Sequence, residues 1–306
     1  MSDLIDVTEA AKAAPSSPDG PANKERNASL WADAWRQLIR RPSFIIPTLF
    51  LLVIASMALL PQLWTKYHYR DCDINNSRKS PSAEHIFGFN VNGCDYWSAA
   101  IYGSRPSLEI AIFGTALIVV LGGIVGLLAG YYGGWVDSIL SRITDIFFAL
   151  PFLLGAIVLL VMLRNRSAWT ISFVLGVLGW VTIARLLRGT VIQGKNLDYV
   201  QAARALGASS ARLMFKHILP NAAAPVLVYA TISLGGFVSA EATLSFLGVG
   251  LIPPQTSWGI MISQNEQYWQ TYPWLLLFPC IFLVGTVLSF ILIGDALRDA
   301  LDPRLR

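Results

Sequence analysis

The sequence predicts an all-α membrane protein of six transmembrane helices with both termini cytoplasmic, and three observations carry that prediction. The 306 residues are 54% hydrophobic and only 14% charged, too apolar for a soluble chain of this length. Six apolar stretches are each long enough to cross a hydrocarbon core of about 30 Å, which takes roughly 20 helical residues at about 1.5 Å apiece. Threading those six spans from an inner N-terminus places sixteen Lys and Arg inside and seven outside, the bias expected because basic loops resist translocation. The net charge of +4 then follows from topology and gives no argument for nucleic acid. Nothing sizeable remains for a soluble catalytic domain.

In chain order, residues 1–29 are rich in Ala, Ser, Pro and charge and lack the apolar core of a signal peptide, which predicts a disordered cytoplasmic tail. In residues 30–42, Trp31, Trp35, Leu38 and Ile39 share one helical face beside Arg36, Arg40 and Arg41. That pattern fits an interfacial amphipathic helix, and equally a plain extension of the first span. The six-span domain, 43–306, has its apolar stretches at Phe44–Leu63, Leu108–Gly130, Ile143–Leu163, Ala168–Leu187, Ala222–Leu247 and Trp274–Ile293.

The outer loop 64–106 is long enough to carry structure of its own. It holds Cys72 and Cys94, which an oxidising exterior permits to form a disulfide; otherwise they are two exposed thiols. In span two, Gly122, Gly126 and Gly130 recur at every fourth position, a face for close helix packing in the same chain or a second subunit. Pro151 and Pro279 should kink spans three and six. A second outer loop, Val249–Pro273, carries Trp258, Tyr268, Trp269 and Tyr272, read as an interfacial aromatic belt in preference to a ligand site.

The inner loop 189–220 has the most legible local signals. Asp198 is placed to cap a helix over Tyr199–Leu206 in a capping box with Gln201, and Gly207 to end it in the left-handed conformation. Ser209 or Ser210 would cap a second helix that Pro220 closes before span five. Val200, Ala203, Leu206, Leu213 and Phe215, beside Arg204, Arg212 and Lys216, would either dock a partner or pack on the chain's own spans. The run Gly189–Asn196 nearly spells a phosphate-binding loop, but Asn196 stands where a Ser or Thr must hold magnesium and a spanning helix precedes it where a strand is needed.

Gln201-Ala202-Ala203, Gly207 and Ile218-Leu219-Pro220 resemble the cytoplasmic loop signature of permease subunits in bacterial ATP-binding-cassette importers, with Gln201 where Glu is commoner. The similarity to the peptide and nickel branch runs from Ser43 onward. It includes Gly130-Tyr131-Tyr132-Gly133-Gly134-Trp135-Val136-Asp137, Arg142 and Asp145 before Pro151, Ala184-Arg185 and Arg188-Gly189. It continues through Ala240-Glu241-Ala242, Leu244-Ser245-Phe246-Leu247-Gly248, Ser257-Trp258-Gly259, Gly294-Asp295 and Asp302-Pro303-Arg304. The chain is most similar to the second permease of a dipeptide or oligopeptide importer. One departure stands in the outer loop, where Gly88-Phe89-Asn90 and Gly93-Cys94-Asp95 replace the branch's Gly-Thr-Asp and Gly-Arg-Asp.

The resemblance implies a type I importer permease fold in the bacterial inner membrane. It implies a heterodimer with a second permease, two ATPase subunits that bind ATP and magnesium in this chain's stead, and an extracytoplasmic solute-binding protein. ATPase coupling would fall to Gln201, Ala202, Ala203, Arg204, Leu206, Gly207, Ala208, Ser209 and Arg212. The chain itself would be non-catalytic and hold no cofactor. A nickel, metal-chelate or haem permease of the same branch is an alternative cargo reading, although His68, His85 and His217 form no ligand cluster in the spans. An ion-coupled carrier acting alone would need no docking loop, and a membrane enzyme would need motifs that are lacking here.

Charges in spans need partners or water, since an unpaired one costs at least about 3 kcal/mol near the bilayer centre. Arg105 and Arg142 stand one turn from Glu109 and Asp145 and are the expected partners; Asp295 lies near the end of span six. Glu241, deep in span five without a local cation, either lines the translocation path or is a hydrogen-bonded structural carboxyl where two permeases meet.

Overall fold

The computed structural model describes residues 35–301. The predicted tail, the first five residues of the 30–42 segment and both termini lie outside them. Ten helices follow in order: α1 (Pro42–Leu59), α2 (Tyr96–Tyr132), α3 (Gly134–Ala149), α4 (Phe152–Leu163), α5 (Ala168–Gly179), α6 (Val181–Gly194), α7 (Asp198–Ala205), α8 (Ser210–Phe246), α9 (Trp258–Asn265) and α10 (Trp274–Leu301). Four are single helices long and apolar enough to span a membrane, and the bent pairs α3–α4 and α5–α6 bring the spans to six. Leu38, at the start of the described chain, is buried against Ala296 and Ala300, and Arg41 pairs with Asp299 at 3.0 Å.

α2 is the central element, packing along α5 and α6 on one side and α1 and α8 on another, while α10 closes against α1 and α8. Gly122, Gly126 and Gly130 make the α2–α6 contact possible. A Cβ on Gly122 would stand 2.6 Å from the Trp180 carbonyl oxygen, and one on Gly126 2.5 Å from that of Ala184. The glycine face is therefore satisfied inside the chain. Lys195 returns from the end of α6 to donate to the Gly130 carbonyl at 2.8 Å and that of Tyr131 at 3.3 Å, satisfying acceptors at the end of α2. The basic residue of the false phosphate loop is thus a helix cap, and most of that run is the end of α6 itself.

Two boundaries differ from those expected. α2 begins at Tyr96, capped by the Asp95 carboxylate accepting from Ser98 N at 2.7 Å, so Pro106 lies within a helix and not at the end of a loop. The third span is not one helix over Ile143–Leu163: α3 and α4 meet at 82°. Pro151 has no N–H to continue the ladder and forces Leu150 into extended backbone (φ −80°, ψ 124°), which turns the chain. α4 alone, 12 residues, is about 18 Å long and cannot cross the bilayer unaided. The 44° bend between α5 and α6 falls at Gly179–Trp180, whereas α10 runs on through Pro279. Both bends border a cavity of about 560 Å³ lined by Phe147, Pro151, Phe152, Thr182, Ser233 and Phe237.

Candidate functional site

The α7–α8 corner is built by backbone rules that the sequence states openly, with two exceptions. Gly207 takes φ +82°, and the amides of Gly207 and Ala208 donate to Arg204 O at 3.0 Å and Ala203 O at 3.1 Å. This paired arrangement terminates a helix, and it needs a residue without a Cβ at the left-handed position. Ser209 caps α8 through Arg212 N at 3.4 Å. Asp198, however, is the first residue of α7 and makes no cap; Leu197 precedes it in extended backbone. There its charge favours the positive helix end, while Gln201 Nε2 donates back to Lys195 O at 3.0 Å.

The second exception is Pro220, which does not close a short helix. α8 continues to Phe246, and the six residues Leu213–Ile218 just ahead of Pro220 adopt a wider π turn. The wider turn relieves the missing N–H and ring clash that a proline imposes on a regular helix. Beneath the corner, Tyr199 OH donates to His217 O at 3.3 Å, and Asn221 Nδ2 donates to Tyr199 OH at 3.0 Å.

The five apolar residues of the corner divide. Val200 and Leu213 are buried in the chain's own core, and Ala203 packs partly against it. Leu206 is 89% exposed and Phe215 61% exposed. Gln201, Ala202, Arg204, Gly207, Ser209 and Arg212 are exposed around them, with Ala208 half-buried. The outcome is a fixed apolar knob with a basic rim, held from below by its buried neighbours. Such a surface can seat in a partner's groove without first being ordered, which spares the entropy of immobilising a loop.

At the opposite end of the bundle Glu241 is wholly buried. Its Oε1 accepts from Ser245 at 2.8 Å and Ser257 at 2.7 Å, and its Oε2 from Ser107 at 3.4 Å. All three donors come from this chain's own helices and loops, and they meet the carboxyl inside its core. Trp258 is likewise buried, its Nε1 donating to Ala100 O at 3.0 Å, and so does not belong to a lipid-facing belt; Trp269 remains 57% exposed. Cys72 and Cys94 are joined in a disulfide that closes the loop ahead of α2. The same loop is held by Phe87 stacked on Phe278 and by His85 bonded to Asp95 at 2.8 Å. Tyr67 donates to Glu84 at 2.9 Å, and that bond pushes its phenol above the ordinary value.

Glu109 pairs with Arg105 at 2.8 Å as its spacing suggests. Asp145 pairs with Arg142 at 3.9 Å, also as its spacing suggests, and more closely with Arg185 at 2.9 Å, and Asp137 forms a two-point pair with Arg188. These ties between α3 and α6 join residues 40 and 51 positions apart, beyond the reach of local spacing.

Residues 122–306 match the family described as binding-protein-dependent transport system inner membrane component, and residues 29–81 match the N-terminal TM domain of oligopeptide transport permease C. The chain is 37% identical to the oligopeptide transport system permease protein OppC of Bacillus subtilis (strain 168), over 96% of each chain. It is 36% identical to the dipeptide transport system permease protein DppC of Alkalihalophilus pseudofirmus, over 95% of each. It is 35% identical to the glutathione transport system permease protein GsiD of Pectobacterium atrosepticum, over 90% of this chain and 92% of that one. Among solved structures, an inward-facing MetNI methionine ABC transporter chain aligns with a TM-score of 0.50 and 21% identity, over 67% of this chain and 96% of that one, a likeness of fold. With six spans, two of them bent, and a family match over most of its length, the chain belongs to the inner membrane components of binding-protein-dependent transport systems.

Proposed function

We propose that this chain is the translocation subunit of a peptide importer of the inner membrane, and that its α7–α8 corner docks a separate ATPase. The peptide cargo rests on the relatives, which are named as oligopeptide and dipeptide permeases and align end to end with this chain. The docking rests on one observation above the others: Leu206, 89% exposed, projects from a corner whose frame is otherwise locked. The fuller assembly has a second permease, two ATPases that carry the nucleotide and magnesium, and an extracytoplasmic binding protein, with the corner facing the cytoplasm. In that assembly this chain cleaves nothing. It converts the ATPases' movement into tilting of its spans, and cargo passes beside the cavity at the two bends, where interrupted helices are tolerated because they line a space.

The test is co-purification of the intact chain with its candidate ATPases from membranes, followed by ATP-dependent uptake of a labelled peptide in vesicles. The expected result is ATPase retention by the parent and its loss in Leu206→Asp. The reading fails when no ATPase accompanies the intact protein and uptake survives ATP depletion.

A further inference from the structure

α8 is one continuous helix from Ser210 to Phe246. Its first turns carry the exposed Phe215 of the corner; its last turns carry Glu241 and Ser245. The separation between Phe215 and Glu241 along the axis is roughly 40 Å at about 1.5 Å per residue. At the far end α9 is wedged between α2 and α8 at backbone distance. A Cβ on Gly259 of α9 would stand 2.6 Å from Ala242 Cα in α8, and a Cβ on Gly103 of α2 would stand 3.3 Å from Ser257 Cα at the start of α9. Trp258 bonds α2 through Ala100 O, and Asn265 Nδ2 donates to Tyr96 OH at 3.2 Å. Glu241 sits at the junction, and its three hydroxyl donors come from α2 (Ser107), α8 (Ser245) and the residue that caps α9 (Ser257).

A carboxyl withdrawn from water is costly unless its oxygens are satisfied, and here satisfaction requires all three elements to stay together. Separating α9 from α8 would leave Glu241 buried without the Ser257 hydroxyl, a penalty larger than that of an exposed hydrogen bond. We propose that Glu241 is a positioning residue for transport: it fastens α9 to α8 and α2, so that displacement imposed on the corner arrives at the opposite face as movement of α9 and its flanking loop. The inference rests on the docking reading, since it presumes that the corner is where force enters. It assigns Glu241 no contact with cargo and no change of charge.

The experiment is amide hydrogen exchange on the assembled complex, nucleotide-free against trapped with ATP and vanadate. In the parent, exchange should change at residues 197–212, which reports docking, and by about fivefold at 257–265. In Glu241→Ala the change at 197–212 should persist while that at 257–265 falls below about twofold. Glu241→Gln should match the parent, because its amide oxygen can still accept from Ser245 and Ser257. A second variant, Ser257→Ala, removes the α9 donor while leaving the carboxyl in place, and should likewise hold the change at 257–265 below about twofold. No response at 197–212 in the parent would overturn the docking reading itself. A parent that responds at 197–212 but not at 257–265, or an Ala variant that responds like the parent at both, overturns only the role of Glu241. So does a Glu241→Ala variant that fails to assemble together with a Ser257→Ala variant that responds like the parent, since the residue would then serve the fold alone.

Discussion

The corner at Gly207 and the junction at Glu241 occupy opposite ends of one helix and are built on opposite plans. At the corner the defining bonds span three to five residues, from Gly207 to Arg204, from Ala208 to Ala203 and from Ser209 to Arg212. Its largest apolar side chain is left in solvent. At the junction the bonds span 16 residues from Ser257 to Glu241, 134 from Ser107 to Glu241 and 158 from Trp258 to Ala100, and every one of these groups is buried. A surface proposed to meet another chain must keep its apolar group open, so its shape has to come from local backbone geometry. A junction internal to the chain can spend its side chains on one another.

Substitutions at the two ends should therefore fail in different assays. Trp258→Ala should have the largest effect, about 3–5 kcal/mol of stability from the emptied core and the lost bond to Ala100, read as a lowered thermal midpoint in detergent. Cys72→Ser should cost about 2–4 kcal/mol by the same assay, because the 22-residue separation between the bridged cysteines is released in the unfolded chain. Leu206→Asp should leave the midpoint unmoved and weaken ATPase retention about thirtyfold, or about 2 kcal/mol, as expected for a central contact residue. Ser209→Ala should be mildest, about 1 kcal/mol through the lost cap, with a small drop in both readouts because the cap belongs to frame and surface alike. A midpoint shift in Leu206→Asp as large as that in Trp258→Ala would erase the distinction between the two ends.

Much of the corner could be read residue by residue. Gly207 as a left-handed terminator and Ser209 as a cap both follow from neighbours a few positions away, which is the range over which sequence speaks directly. The capping box at Asp198 failed for an equally local reason, since Leu197 took the extended position one residue earlier. Pro220 misled because the cost of a mid-helix proline is avoided by a π turn that propensity does not foresee. At the other end Glu241 was identifiable as a charge in need of partners, but not the three serines that meet it. Nor could composition distinguish the buried Trp258 from the exposed Trp269, since both sit in the same aromatic loop.

Hydrophobic length and Lys/Arg placement determined the number of spans and the expected topology, because both act along the chain against a membrane of known thickness. Turn chemistry determined most of the corner. Only the tertiary structure decided that the glycine face of α2 receives α6 of its own chain, that Asp137 and Asp145 are answered by Arg188 and Arg185, and that Glu241 joins α2, α8 and α9. Those contacts arise where separate helices are pressed together, and a pairing between residues many turns apart depends on the packing angle and register of the helices that carry them.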